Sequence, residues 1–147
     1  MLKRIFLFGA ISLVLVSCDV RKKDTQANLK GTEQPVINKD PTTVQIIDSA
    51  YNFGQVTEGD IVEYNYRFKN TGTKPLVITT TAASCGCTVP EKPEQPVLPG
   101  EIGFIKVKFN SEHRVGQTHK TVTVGSNAEP GFPELVLTGE VKEKSKE

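Results

Sequence analysis

Tryptophan is absent from this 147-residue chain, methionine occurs once, and there are only two histidines and three cysteines. Charge of one sign is missing too: 18 basic side chains face 17 acidic ones, a formal balance of +1. That balance excludes a nucleic-acid binder held by a basic surface, and equally an acidic tail protein. Apart from one apolar stretch near the N-terminus there are no long hydrophobic runs, which excludes a polytopic membrane protein; the composition also excludes collagen and coiled coil. Glycine-rich phosphate-loop and dinucleotide fingerprints do not occur. Present instead are 12 glycines and 9 prolines, a profile that suits a turn-rich β protein better than a helical bundle. The length allows one domain once any tether is set aside.

The N-terminus reads as an address. Met1-Leu2-Lys3-Arg4 is a short basic start, followed by twelve residues, Ile5 to Val16, that are almost all apolar. As a helix this run spans roughly 18 Å, short of the ~30 Å hydrocarbon core, so it reads as a secretory signal rather than a transmembrane anchor. It ends in Leu15-Val16-Ser17-Cys18, which resembles a bacterial lipobox. That resemblance implies cleavage before Cys18, diacylation of its sulfur and attachment to a membrane, each buried methylene contributing about 0.8 kcal/mol. Cleavage removes Lys3 and Arg4 and leaves 16 basic against 17 acidic side chains, a formal charge of −1. The expected location is the cell envelope outside the cytosol, facing the periplasm. Residues 1–17 are the expected signal, and residues 18–42 the lipidated cysteine and a linker. The linker is polar and without periodic apolar spacing, too poor in apolar surface to offset its ordering entropy.

From Thr42 onward the pattern has the period of a strand. Val62, Tyr64, Tyr66 and Phe68 alternate with Glu63, Asn65, Arg67 and Lys69, which predicts a strand over Ile61 to Asn70 with one buried and one wet face. The aromatic side chains thereby fall on the core face, which argues against a base-stacking platform. Further strands are expected at Pro75 to Ala83, with Leu76, Ile78 and Thr80 on one face; around Ile105, Val107 and Phe109; from Gln117 to Gly125; and around Leu135, Leu137 and Val141. Val44 to Asp48 and Tyr51 to Phe53 read as a first strand interrupted by a bend. Turn sequences such as Glu58-Gly59-Asp60, Asn70-Thr71-Gly72-Thr73 and Pro99-Gly100 separate them. About seven short strands without a helical stretch predict an all-β, immunoglobulin-like antiparallel sandwich over residues 43–142, with a charged tail at residues 143–147.

Several segments then form a familiar series. Phe53-Gly54-Gln55-Val56-Thr57-Glu58-Gly59-Asp60 precedes the long strand and Phe68-Lys69-Asn70-Thr71-Gly72 closes it. Pro75-Leu76-Val77-Ile78, Ser84-Cys85-Gly86-Cys87-Thr88, Leu98-Pro99-Gly100-Glu101, Gly116, Ser126-Asn127 and Leu135-Val136-Leu137-Thr138-Gly139 follow. The series resembles the bacterial secreted family catalogued as domain of unknown function 1573, a relative of the immunoglobulin-like Hydin (ASH) and major-sperm-protein domains. The resemblance covers Val44 to Val141 and implies the fold, while leaving the activity open. Its most specific piece is Ser-Cys-Gly-Cys-Thr. Ala128-Glu129, between Asn127 and Pro130, departs from it as a loop insertion.

With Cys18 assigned to lipid, Cys85 and Cys87 remain as a possible disulfide or redox pair. Fully extended, two residues separate Cα atoms by up to roughly 7 Å, beyond the usual disulfide span; a turn at Gly86, free to take positive φ, brings them into range. So small a ring yields about 1.6 kcal/mol by chain entropy, too little for a structural staple. Small strained rings are comparatively reducible. Three readings stay open: a passive pair shaping a loop, a thiol–disulfide site, or a copper or zinc site. The last draws on topology, because in an immunoglobulin-like sandwich the Cys85–Cys87 loop and the loop holding His113 fall at the same end, with His119 soon after. Cys-x-Cys with one or two histidines suits zinc, and thiolates alone suit copper(I). Read plainly, His113 and His119 are exposed loop or strand residues.

No catalytic constellation is visible. Ser84 and Ser111 lack a base by spacing, and Glu58, Asp60 and Glu63 read as solvated charge. The expected function is therefore non-enzymatic and without cofactor: a lipid-anchored binding or scaffolding module, its partner an envelope protein, with redox or metal handling at Cys85 and Cys87 as the alternative.

Overall fold

The computed structural model describes residues 40–145, so the expected signal, Cys18 and nearly all of the linker lie outside the described residues. Eight strands form two four-stranded sheets: β1 (Val44–Ile46), β2 (Ala50–Thr57), β3 (Ile61–Asn70), β4 (Ile78–Ala83), β5 (Thr88–Glu91), β6 (Ile102–Asn110), β7 (Gly116–Ser126) and β8 (Leu135–Lys142). One sheet runs β1-β3-β6-β5 and is antiparallel; the other runs β2-β8-β7-β4, with β2 parallel to β8. Among the described residues there is no helix.

The alternation in β3 is realised as expected. Val62, Tyr66 and Phe68 are buried, Tyr64 is half-buried, and Glu63, Asn65, Arg67 and Lys69 face water. In register, Val62 sits opposite Phe109, Tyr66 opposite Ile105, and Phe68 opposite Gly103. Gly103 is required there: a Cβ at this position would overlap the Phe68 ring and approach Val97 Cγ2 at 2.7 Å. The inner face of the second sheet supplies Leu135, Leu137, Val141 and Val122. The interior divides into one cluster around Tyr66, Phe68, Leu76, Ile105 and Leu135, and another of Val62, Cys87, Phe109, Leu137 and Val141.

Tyr66 joins the two sheets. Its hydroxyl donates to the Val136 carbonyl at 2.7 Å, and burial pushes its ionisation well above the ordinary phenol range, with Tyr64 and Tyr51 adding to the effect. Tyr66→Phe removes the donor and little else. The expected loss is about 1 kcal/mol, a fall in Tm of roughly 4–8 °C by thermal denaturation. An unchanged Tm would show that water replaces the hydroxyl at no cost.

Three local expectations are corrected. The interrupted first strand is two strands in different sheets, because the chain crosses the sandwich at Ile47–Ser49. Arg67 fixes that crossing: its guanidinium donates to Asp48 Oδ2 at 2.7 Å and Oδ1 at 3.1 Å, while its carbonyl accepts from the Ile47 and Asp48 amides. The same guanidinium holds the Asp48 carboxyl below the usual carboxylate range. Thr80 does not share the face of Leu76 and Ile78. A register shift between Ile78 and Thr80 turns it to water, and β4 begins only at Ile78, Leu76 pairing instead with Val97. Finally, β5 is an additional short edge strand; Pro90, which lacks an N–H, sits within it, as edge strands allow. The Ala128-Glu129 insertion lies in a loop as expected, with Ala128 buried in the core and bridging Thr42 in parallel.

Candidate functional site

β4 runs directly into the cysteine turn. Ser84 prolongs its pairing with β7, its amide donating to the Thr121 carbonyl at 2.9 Å and its hydroxyl accepting from the Thr121 amide at 3.1 Å. The chain then turns through Cys85-Gly86-Cys87, closed by the Thr88 amide donating to the Cys85 carbonyl at 3.2 Å, and leaves along β5. Cys85 and Cys87 form a disulfide with Cα atoms 5.3 Å apart. The turn at Gly86 brings the pair into range as expected, and does so without using a positive φ; an added Cβ there would meet nothing within 4 Å. The two sulfurs are not equivalent. Cys87 is 8% exposed and packs into the Phe109, Leu137 and Val141 cluster, whereas Cys85 lies at its margin, half-buried. The buried hydroxyl of Thr88 reaches both, at 3.5 Å from Cys85 Sγ and 3.8 Å from Cys87 Sγ.

The β6–β7 loop faces this turn. The Asn110 amide donates to the Cys87 carbonyl at 2.9 Å, and Asn110 Oδ1 accepts from the Glu112 amide at 2.9 Å. Ser111 is buried and structural, its hydroxyl donating to the Thr57 carbonyl at 3.0 Å. His113 takes a left-handed φ of 56°, which costs a non-glycine residue energy and persists only where neighbours enforce it. Glu58 enforces it, accepting from the His113 amide at 2.9 Å with Nδ1 3.5 Å away. Glu58 is thus a clamp between loops, a role the sequence does not announce. Gly86, Cys87, Asn110, Glu112, His113 and Arg114 together line an open depression of about 260 Å³.

The topology therefore brings His113 to the cysteine loop, as read from the sequence. It does not bring His119, which is exposed on β7 opposite Thr138 and does not line the depression. Both sulfurs are engaged in the disulfide, and among the described residues no group of three or more His, Cys, Asp or Glu side chains could hold a metal ion. Copper or zinc binding would call for the reduced pair. Of the acidic residues, Glu63 points outward as expected and pairs with Lys106 at 3.0 Å, which lowers its ionisation.

A second surface is not evident from the periodicity. The outer face of the β1-β3-β6-β5 sheet carries Ile102 at 51% exposure and Phe104 at 49%, directly opposite Lys69 and Arg67. Ile47, also exposed, lies across Arg67 on the other side. Farther along this face Glu63, Lys106, Lys108 and Glu91 form a chain of ion pairs.

No curated protein matches this chain. Among solved structures, a protein of unknown function from Porphyromonas gingivalis W83 is similar with a TM-score of 0.58 at 11% identity, covering 69% of this chain. This chain spans about half, 48%, of that neighbour. An ASH/PapD-like domain of human CEP192, PapD-like domain 7, is similar with a TM-score of 0.54 at 15% identity over 71% of this chain and 88% of that domain. At these identities both likenesses speak to the fold, an immunoglobulin-like sandwich of the ASH type, and to nothing finer. The model of the family described as "Protein of unknown function (DUF1573)" matches residues 44–141, and the chain belongs to that family.

Proposed function

We propose that this protein is a non-enzymatic binding or scaffolding module, carried outside the cytosol on a lipid at Cys18, whose ligand is another protein of the cell envelope. The observation that carries the reading is the outer face of the first sheet. A sheet face that meets only water is polar, yet here Ile47, Ile102 and Phe104 stand in the open beside Arg67 and Lys69. Aliphatic and aromatic anchors beside arginine, edged by ion pairs, are the composition of a protein interface. The fold is compatible with this use, although immunoglobulin-like sandwiches host many functions. The signal and lipobox-like residues support the location.

Two measurements test the reading. Cys18→Ser should move the chain from the membrane to the soluble fraction. Ile102→Ser/Phe104→Ser should reduce a partner captured by cross-linking in native membranes at least tenfold, with stability within about 0.5 kcal/mol of the parent because both positions are exposed. A partner retained by that variant but lost by Cys85→Ser/Cys87→Ser would transfer the contact to the cysteine loop.

A further inference from the structure

We propose that the Cys85–Cys87 disulfide is a thiol–disulfide exchange site that accepts electrons from a dithiol on a second protein, with attack directed at Cys85. The proposal does not rest on the outer sheet face or on the lipid anchor. It rests on the asymmetry of the pair and on what surrounds it.

Exchange requires a thiolate to approach one sulfur along the S–S axis while the other leaves. Cys87 is only 8% exposed and packs among Val62, Phe109, Leu137 and Val141, which hinders an incoming thiolate at its sulfur even though the residue borders the depression. Cys85, half-buried at the turn, is the accessible partner, and nothing lies within 4 Å of a Cβ built on Gly86 beside it. The chain from Pro75 to Pro90 carries no charged side chain, and the charge on the flanking strands is Glu91 at the far end of β5, paired with Lys108 at 3.2 Å. The leaving side is equipped to take up charge. The Thr88 hydroxyl, buried and within 3.8 Å of Cys87 Sγ, can turn its proton to that sulfur, with Cys85 Sγ 3.5 Å away on the other side of the bond. His113 and Arg114 line the depression next to Cys87, with Glu112 as the acidic member of the same wall. Nearby cationic and hydrogen-bond-donating groups stabilise a thiolate and make it a better leaving group.

The reaction has two steps. A partner thiolate attacks Cys85 Sγ; a partner–Cys85 disulfide forms, the Cys85–Cys87 bond breaks, and its electron pair leaves on Cys87 Sγ. The partner's second thiol, as thiolate, attacks the partner sulfur of that mixed disulfide; the partner disulfide forms and Cys85 departs as thiolate. Cys85 and Cys87 take up the two protons released by the partner thiols. In sum, a dithiol becomes a disulfide and the pair becomes two thiols.

The test uses the full chain carrying Cys18→Ser, so that every thiol counted belongs to the pair, with a two-cysteine peptide as the dithiol probe. After acid quenching and alkylation, mass spectrometry should show the folded protein gaining two labels as the peptide loses two. In single variants, offered the peptide in its disulfide form, the Cys85 thiolate (in Cys87→Ser) should attack it, expelling one peptide thiolate and forming mixed disulfide, at least tenfold faster than Cys87 (in Cys85→Ser). Thr88→Val, which keeps the side-chain shape but removes the donor, should slow reduction about tenfold without altering the circular dichroism spectrum. Circular dichroism of the reduced parent should remain that of the folded domain. A pair that resists excess dithiothreitol while the protein stays folded overturns the proposal, and that measurement needs no substitution in the pair. Equal rates for the two single variants would overturn attack at Cys85, and an unaltered rate in Thr88→Val would remove the hydroxyl from the exchange.

Discussion

Asn70→Ala should destabilise the domain by about 3–5 kcal/mol, as large an effect as any polar substitution in the chain is expected to produce. Asn70 is 0% exposed at the end of β3 and spends every donor and acceptor of its amide. Nδ2 donates to the Lys74 carbonyl at 2.8 Å and the Val97 carbonyl at 2.9 Å; Oδ1 accepts from Thr42 Oγ1 and the Gly72 amide, both at 3.1 Å. One side chain thereby ties the entry of the domain, the turn after β3 and the segment before β6. Alanine removes four hydrogen bonds at a fully buried position, each contributing about 0.5–1.5 kcal/mol net, against a total domain stability of about 5–15 kcal/mol. The partner groups keep second contacts: the Val97 carbonyl accepts from the Leu76 amide, the Lys74 carbonyl from Thr42 Oγ1, and the Gly72 amide donates to the Thr43 carbonyl. Urea denaturation should show a lower midpoint with an unchanged slope. Asn70→Asp distinguishes the donors from mere volume: a carboxylate beside two carbonyl oxygens is disfavoured, so the folded state holds its proton more tightly than the unfolded chain. Its stability should therefore fall as pH rises through the carboxylate range, whereas Asn70→Ala should show no such dependence. A loss under 1 kcal/mol for Asn70→Ala would mean that water or backbone relaxation replaces the clasp.

This residue also shows where sequence reading stops. Asn70-Thr71-Gly72 is legible as a turn, because asparagine and glycine favour one, but nothing local reveals that the amide reaches Thr42 and Val97. Asn127 is a parallel case: its amide donates to the Asp40 and Pro75 carbonyls and accepts from the Val77 amide. Both belong to the family-like series, so part of that series encodes long-range clasps rather than chemistry. What was legible is what local periodicity determines. The bounds of β3 follow from strict alternation over its whole length, and the inward sets of β6 and β8 follow likewise. The crossing between β1 and β2 was hidden because an ion pair from Arg67 on another strand determines it. β5 was hidden because four residues containing a proline carry too little pattern. At the site, topology was enough to bring His113 to the cysteine turn, since both loops close the same end. The exclusion of His119 from the depression, the clamp from Glu58 and the Thr88 hydroxyl between the sulfurs depend on side-chain geometry that spacing does not contain.

Phe109→Ala should cost about 3–5 kcal/mol, and it should also change the chemistry of the cysteine turn. Phe109 is fully buried on β6, stacks with Phe53 at 5.8 Å between ring centroids, and lies opposite Val62 and Thr88 in register. It belongs to the small cluster that also holds Cys87, Leu137 and Val141. Losing the ring removes its transfer free energy and leaves a cavity that the rigid sheets close only in part. Because Cys87 forms one wall of that cluster, the cavity opens next to its sulfur. In a Cys85→Ser background, alkylation of Cys87 should therefore accelerate at least tenfold in Phe109→Ala under conditions where the domain remains folded. Phe68→Ala, equally buried but in the other cluster, serves as the control: it should lower stability comparably and leave the Cys87 rate within about twofold once global unfolding is subtracted. Parallel acceleration in both variants would assign the protection of Cys87 to overall stability. Acceleration confined to Phe109→Ala would show that local packing, beneath a turn whose outer sulfur is accessible, is what makes the two cysteines unequal.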